Sequence, residues 1–218
     1  MRQRHKQKGF TLVEMMISSA IGLIVMAGVI SIFATSVAAS GDNMKRVRLN
    51  QEIRTIMDVM VRDIRRAGYW RDANSLATAN PFATLFVSAD SQCLSYSYDV
   101  NQATPALPLG NEDNFGFRLI NGAVRYRTSS TNCDTNAGWN LISDPNVVNI
   151  TTLTFNLQTV CTNLSNPTGA INCTSAGGTD TLASMQRINI TLTGQLKNDA
   201  NVRFTLTNSV YIRNALPT

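Results

Sequence analysis

The sequence predicts an α+β protein in which a long N-terminal α-helix, hydrophobic in its first half and amphipathic in its second, packs on a mostly antiparallel β-sheet head. Three patterns predict this fold. An apolar run lies near the N-terminus, a helical repeat of apolar residues follows it, and the rest of the chain contains short segments in which apolar and polar residues alternate. The 218 residues suffice for one such helix and one globular domain of ordinary size.

The apolar run extends from Phe10 to Gly41, and its only charged residue is Glu14. At about 1.5 Å of rise per residue, a helix over this run is longer than the roughly 30 Å hydrocarbon core of a membrane. A cleavable secretory signal would have a shorter apolar core. The basic residues before the run predict a cytoplasmic N-terminus and a head on the other side of the membrane. These residues are Arg2, Arg4, Lys6 and Lys8.

The helical repeat continues beyond the apolar run, which predicts one helix from about Phe10 to about Ala67. The apolar positions of the repeat are Leu49, Ile53, Ile56, Met57, Met60, Ile64 and Ala67. The opposite face carries Arg48, Asp58, Arg62 and Arg65. Asp58 and Arg62 have the spacing of a favourable ion pair, and Gly68 predicts the end of the helix.

Beyond Trp70, an alternation with period two predicts half-buried antiparallel strands. The alternating segments include Tyr96, Phe117, Tyr126, Phe155, Ile190 and Phe204. Asn121-Gly122 predicts a type I′ hairpin turn, and residues 194–201 are interpreted as a longer turn between the last two strands. Residues 72–92 and 161–182 lack periodicity and are interpreted as loops.

Four cysteines lie beyond the apolar run: Cys93, Cys133, Cys161 and Cys173. An even number of scattered cysteines on one side of a membrane anchor predicts two disulfides in an oxidising compartment. Of the pairings that four cysteines allow, we favour Cys93–Cys133 with Cys161–Cys173, because both loops are then short.

The positive charge of the chain is unevenly distributed. The formal net charge is +5, but residues 72–218 carry seven basic and nine acidic residues. The excess lies in the N-terminal segment and in residues 44–71, which carry eight basic and three acidic residues. The charge of the head therefore does not indicate nucleic-acid binding.

The head shows no pattern typical of an enzyme or of a cofactor site. The only histidine, His5, precedes the apolar run, which excludes imidazole-based catalysis and His-ligated zinc in the head. The sequence also contains no phosphate-binding loop and no nucleophile turn. Oxygen-bearing residues at 112–114 and 144–146 lack the spacing of an EF-hand and are interpreted as turn residues, which leaves calcium binding open. We expect no catalytic residue, no cofactor and no metal site.

Glu14 is unusual because a carboxylate inside an apolar helix costs about 2.5 to 3.5 kcal/mol on membrane-insertion scales. No cation lies within helical reach on its C-terminal side. Cleavage of the peptide bond after Gly9 would give Phe10 a free α-amino group. In a helical assembly, this amine can meet the Glu14 carboxylate of a neighbouring subunit, which offsets both charges and fixes the axial register.

The segment from Lys8 to Glu14, KGFTLVE, resembles the processing site of type IV prepilins. The resemblance implies that a membrane prepilin peptidase cleaves after Gly9 and methylates the amine of Phe10. It also implies a location in the inner membrane before assembly, and then in a type IV pilus at the surface of a Gram-negative bacterium. Residues 62–70, RDIRRAGYW, further resemble the end of this helix in PilW-like minor pilins.

The resemblance covers about the first seventy residues and implies a structural minor pilin that primes or caps a pilus for twitching motility, adhesion and DNA uptake. The implied partners are the peptidase, the inner membrane, and other minor and major pilins packed against the N-terminal helix. Contact of the head with DNA or with a surface is not indicated by its charge.

These interpretations divide the chain into a cleaved leader over residues 1–9, a hydrophobic helix over 10–40, an amphipathic continuation over 41–70, and a β-rich head over 71–218. Two other functions stay open. A J-type minor pseudopilin of a type II secretion system has the same architecture, although the PilW-like helix end favours a pilus. A tip adhesin or DNA receptor would bind through the head, and a DNA receptor would show a basic face with aromatic residues.

Overall fold

The computed structural model describes residues 9–71, 80–83, 85–100, 113–128, 133–134, 138–163 and 182–212. The chain divides into two compact units, Met1–Lys45 and Arg46–Thr218. The first unit contains the apolar part of the helix, and the second contains its amphipathic part and all the described strands. The predicted α+β fold class is confirmed.

One helix, α1 (Leu12–Ile64, 53 residues), includes both the apolar and the amphipathic segments. It ends before the predicted Ala67 because its last turn tightens: the amides of Arg66 and Ala67 donate to carbonyl groups three residues back, at 2.9 and 3.0 Å. Gly68 follows with a φ of 74°, a left-handed conformation that glycine adopts without strain.

The strands form two antiparallel sheets, where the sequence predicted one. The first sheet has five strands in sequence order: β1 (Leu85–Val87), β2 (Cys93–Ser97), β3 (Asn114–Ile120), β4 (Ala123–Arg127) and β5 (Asn140–Leu141). The second sheet has three long strands, also in sequence order: β6 (Val148–Asn163), β7 (Leu182–Leu196) and β8 (Asp199–Ile212). Backbone hydrogen bonds of 2.8 Å, from Ile150 to Gly122 and from Phe155 to Ser91, connect the sheets at separate points, so no continuous ladder joins their described strands.

The predicted Asn121-Gly122 hairpin connects β3 and β4. Both residues have a positive φ, 51° and 73°, as a type I′ turn requires. This turn places Phe117 of β3 opposite Tyr126 of β4. The turn chemistry therefore sets the register that brings the aromatic residues of these strands together.

The turn between β7 and β8 is shorter than the predicted one over residues 194–201. Strand β7 continues through Gly194 to Leu196, and Lys197 and Asn198 separate it from β8. Gly194 lies within a strand and not in the turn. A Cβ at this position would lie 2.6 Å from Cδ1 of Ile53 on α1. The glycine permits the close approach of the helix to the sheet.

Strands also extend into both segments that were interpreted as loops. Strand β1 lies within residues 72–92, β6 continues to Asn163, and β7 begins at Leu182. The rest of the loop predicted over residues 161–182, namely residues 164–181, lies outside the described residues, as does the predicted leader apart from Gly9.

The predicted apolar stripe of α1 is buried in the main core. All its positions from Leu49 to Ala67 expose 2% or less of their surface. The same core includes Tyr96 from the first sheet and Phe155 from the second, so the amphipathic part of the helix contacts both sheets. The predicted polar positions on the opposite face are exposed.

The predicted ion pair between Asp58 and Arg62 does not form. In the described part of the chain, the ion pairs of α1 are Lys45–Asp42 and Arg66–Asp63. Arg62 instead lines a cleft together with Phe117 and Tyr126 of the first sheet.

Candidate assembly site

The predicted processing junction lies in exposed, non-helical backbone directly before α1. Phe10 exposes 79% of its surface. A Cβ at Gly9 would meet no atom within 4 Å, so packing does not explain the glycine at this position. Exposed backbone outside a helix or strand is accessible to a protease. The geometry therefore permits cleavage after Gly9, which remains a prediction.

Thr11 caps the N-terminus of α1. Its Oγ1 accepts a hydrogen bond from the backbone N–H of Glu14 at 3.3 Å. Threonine followed three residues later by glutamate is the pattern of a capping box, and a carboxylate in the first turn interacts favourably with the helix dipole. Glu14 was predicted only to form a contact between subunits, although the T-x-x-E spacing also indicated this capping role within the chain.

Phe10 and Glu14, the two residues of the predicted contact between subunits, are both exposed. The ion pairs within the described residues do not include Glu14. A neighbouring chain can therefore reach both groups, and the pairing itself remains a prediction.

The apolar part of α1 presents an extensive hydrophobic surface. Its most apolar window of 18 residues has a mean hydropathy of 2.3, and none of that window is buried. The exposed fractions of its large side chains range from 55% at Ile17 to 76% at Leu12. The helix is long and apolar enough to cross a membrane, and a hydrophobic surface of this size marks a site of contact with lipid or protein.

Two hydroxyl groups in this apolar segment, those of Ser19 and Thr35, donate hydrogen bonds to the helix itself. Ser19 donates to the carbonyl of Met16 at 2.9 Å, and Thr35 donates to the carbonyl of Ile32 at 2.8 Å. These polar side chains therefore do not need water as a hydrogen-bond partner, which suits an environment without it.

At the other end of α1, five residues form a polar and aromatic group that we call the helix-end cluster: Asp63, Arg66, Tyr96, Tyr98 and Tyr126. The Asp63 carboxylate accepts a short hydrogen bond from the Tyr96 hydroxyl and one of 3.2 Å from the Tyr98 hydroxyl. The Arg66 guanidinium lies 3.6 Å from the same carboxylate and 4.2 Å from the centre of the Tyr98 ring. The cluster thus ties the last turn of the helix to strand β2.

The environment of the helix-end cluster raises the pKa of its tyrosines. Burial and the neighbouring Asp63 carboxylate raise the pKa of Tyr98 to about 12. The same two causes raise the pKa of Tyr96 well above its usual value, and the pKa of Tyr126 also rises. All three phenols therefore stay protonated, and able to donate hydrogen bonds, to a higher pH than a free tyrosine does.

The residues directly after α1 form hydrogen bonds with Asn80 and with the backbone at the end of β2. The Gly68 N–H donates to the carbonyl of Ser97 at 2.9 Å, and Asn80 Nδ2 donates to the Gly68 carbonyl at 2.9 Å. The Asp99 N–H donates to the carbonyl of Tyr69 at 2.9 Å. The segment over residues 62–70 is therefore attached to the first sheet through both side chains and backbone.

Cys93 and Cys133 form a disulfide, the pairing favoured from the short loop. Trp139 packs on both cysteines in a small core of its own. Cys161 is also disulfide-bonded. Its predicted partner, Cys173, lies outside the described residues.

The oxygen-bearing residues near Asp144 form a turn that contacts α1. Oδ1 of Asp144 accepts the N–H of Asn146 at 2.9 Å, and the N–H of Asp144 donates to Oε1 of Glu52 at 3.1 Å. Among the residues that the structure describes, no three His, Cys, Asp or Glu side chains come together as a metal site would require.

Comparison with known protein families agrees with both units of this structure. The prokaryotic N-terminal methylation motif matches residues 4–30, which include the junction and Glu14. The family of prepilin peptidase-dependent protein B matches residues 42–212, which include the amphipathic part of α1 and every described strand. The chain belongs to the prepilin peptidase-dependent protein B family. It is thus a type IV pilin-like protein.

Two relatives illustrate the range of similarity within and beyond this family. Prepilin peptidase-dependent protein B of Escherichia coli (strain K12) is 24% identical over 149 residues, which are 67% of this chain and 76% of the relative. The pilin-like protein PilA3 of Thermus thermophilus is 33% identical over 70 residues, which are 31% of this chain and 30% of the relative. No solved structure matches the chain significantly.

In this member of the prepilin peptidase-dependent protein B family, the helix-end cluster is the feature that sequence reasoning missed. Asp63 was considered only as part of the segment RDIRRAGYW, and the three tyrosines only as residues of predicted strands. Their convergence follows from the pairing of β2 with β3 and of β3 with β4, which local patterns do not reveal. The available signal was a pair of tyrosines at alternating positions, 96 and 98, because a buried tyrosine hydroxyl usually needs a hydrogen-bond partner.

Proposed function

We propose that this chain is a structural, non-enzymatic minor pilin of a type IV pilus. The observation that carries the proposal is a methylation motif followed by a fully exposed apolar helix that continues, as one element, into a folded head. This order of segments suits a subunit that is anchored in a membrane before it assembles into a fibre. Lipid covers the apolar helix before assembly, and neighbouring pilin helices cover it afterwards.

The proposed maturation begins with cleavage of the bond between Gly9 and Phe10 by a prepilin peptidase, which also methylates the new amine. Before assembly, the chain lies in the inner membrane of a Gram-negative bacterium with its N-terminus in the cytoplasm. In the fibre, the charged amine of Phe10 pairs with the Glu14 carboxylate of a neighbour. Because both groups are exposed at the helix start, this pair stabilises the assembly and sets its register.

The proposed subclass is a PilW-like minor pilin that primes or caps the fibre. Support comes from the segment RDIRRAGYW, in which Asp63, Arg66 and Gly68 have identifiable roles in attaching the helix to the head. The implied processes are twitching motility, adhesion and DNA uptake. The partners would be other minor and major pilins, and the acidic balance of the head does not favour DNA as a ligand.

Deletion of the gene in the native bacterium, followed by complementation, tests this assignment. The proposal expects loss of surface fibres and of twitching, with normal secretion of exported enzymes. Loss of secretion with intact fibres would instead identify a minor pseudopilin of a type II secretion system. Intact fibres that fail to bind surfaces or DNA would identify a tip adhesin or receptor.

A further inference from the structure

A cleft of about 340 Å³ opens between the last turns of α1 and the first sheet. Its sheet side is formed by Phe117, Tyr126 and Ile142. Its helix side is formed by one face of α1, with Val59, Arg62, Asp63 and Arg66. The cleft thus combines an apolar and aromatic floor with two guanidinium groups on its rim.

The charges of the cleft do not cancel. Asp63 already accepts hydrogen bonds from Tyr96 and Tyr98, and its ion-pair partner is Arg66. Arg62 is exposed and makes no ion pair with the residues that the structure describes. One positive charge therefore remains at the rim, above a floor that favours apolar groups.

We propose that this cleft binds an acidic surface segment of a neighbouring pilin-type subunit. In this contact a carboxylate of the neighbour pairs with Arg62, and an adjacent apolar side chain packs on the partly exposed Tyr126 and Ile142. The inference rests on the proposed function, which places other pilin-type chains beside this one.

Charge and size determine the choice of ligand. A guanidinium group forms two parallel hydrogen bonds with a carboxylate, which makes arginine a frequent anchor of protein interfaces. The volume lies at the lower end of the range of about 300 to 1,000 Å³ typical of ligand pockets. It suits one or two side chains better than a lipid chain.

Arg65 provides a matched control for Arg62. Both arginines are exposed and lie three residues apart, Arg62 in the last turn of α1 and Arg65 directly after it, but Arg65 does not line the cleft. Arg62→Glu and Arg65→Glu therefore change the net charge of the head equally, and only the first reverses the charge at the cleft. Neither side chain belongs to the buried core.

The test uses the full chain in the native bacterium, with the photo-crosslinking amino acid p-benzoylphenylalanine at Val59, which is 38% exposed in the cleft. The same amino acid at the exposed neighbour Asp58 is the control for position. We expect an adduct from Val59 alone. Mass spectrometry should map it to a segment containing Asp or Glu in a second chain that carries a methylation motif.

The charge variants then decide whether Arg62 recognises that segment. Arg62→Glu should lower the adduct yield by about tenfold or more, since charge-assisted bonds of this kind are strong. Arg65→Glu should leave the yield within about twofold. Replacement of the mapped acidic residue by arginine should restore the adduct of the Arg62→Glu variant. An adduct that Arg62→Glu leaves unchanged, a phospholipid adduct, or the absence of an adduct would overturn the inference.

Fibre incorporation, measured in the same cells, separates this inference from the proposed function. Fibres that contain the chain without the Arg62-dependent adduct would contradict the cleft alone. The adduct in cells whose fibres lack the chain would contradict the pilus assignment and leave the cleft contact in place.

Discussion

Ile53 of α1 lies directly over Gly194 of β7, so closely that a Cβ on the glycine would be 2.6 Å from Cδ1 of Ile53. The same Cβ would lie 3.0 Å from Val148 and 3.2 Å from Ile150, on the neighbouring strand. The helix therefore reaches the second sheet at a point where any side chain larger than a hydrogen atom displaces the core.

Gly194→Ala should lower the free energy of unfolding of the head by about 1 to 3 kcal/mol, the usual cost of overpacking. For a domain of this size, each kcal/mol corresponds to about 2 to 4 °C in Tm. Thermal unfolding of the full chain in detergent measures the effect. Ile53→Val removes Cδ1, so the double variant should be less destabilised than the sum of the single variants. Strict additivity would contradict the contact.

Glu14→Gln separates the two roles of Glu14. Glutamine retains the capping-box pattern with Thr11 but lacks the charge that would pair with the amine of Phe10. We expect incorporation into fibres to fall by about tenfold or more, because the amine then lacks its counter-charge in an apolar surrounding. Glu14→Ala and Glu14→Val should have the same effect without changing the Tm of the head. Normal incorporation of Glu14→Gln would show that capping, and not pairing, explains the residue.

Reduction should destabilise the head. The Cys93–Cys133 disulfide joins residues 40 positions apart, and closing a loop of this length contributes about 4 kcal/mol in the chain-entropy model. A Cys93→Ala/Cys133→Ala variant should show a fall in Tm without reductant, smaller than that of the reduced wild type, which also loses the disulfide of Cys161. The prediction fails if reductant leaves the Tm unchanged and thiol titration finds four free thiols beforehand.

Stability should also fall at high pH because of the helix-end cluster. The pKa of Tyr98 is about 12 in the folded chain and about 10 in an unfolded one. The folded state holds this proton more tightly, so its contribution is fully present below about pH 10 and is lost as the pH rises towards 12.

Denaturant unfolding between pH 9 and 12 checks this pH dependence. Tyr98→Phe should lose less stability than the wild type over that range, because it lacks the shifted phenol. Tyr211→Phe, at an exposed position on β8 outside the cluster, is the matched control and should follow the wild type. Equal pH dependence in Tyr98→Phe and the wild type would contradict the account.

The sequence predicted those parts of the fold that depend on local patterns. The apolar positions from Leu49 to Ala67 repeat at helical spacing, and Asn121-Gly122 has the composition of its turn, so both predictions are confirmed. Gly194 was misread because a glycine in a turn and a glycine under a helix look alike in a sequence. The difference depends on Ile53, which lies far away along the chain.

The candidate sites likewise include one that local sequence patterns reveal and one that they do not. Gly9, Phe10 and Glu14 lie in one short motif, which made them visible in the sequence. The helix-end cluster and the adjacent cleft form only when α1, β2, β3 and β4 are in register. The separation of the strands into two sheets likewise depends on pairings between distant segments, which periodicity does not specify.

Mass spectrometry of sheared surface fibres from the native bacterium tests the central claim most directly. The account predicts an N-terminal peptide of this chain that begins at a methylated Phe10 and is present in the fibre fraction. A processed chain that stays in the envelope and is absent from well-sampled fibres would contradict assembly into a pilus. An intact leader in the functional pool would contradict processing after Gly9 and the pairing of Phe10 with Glu14.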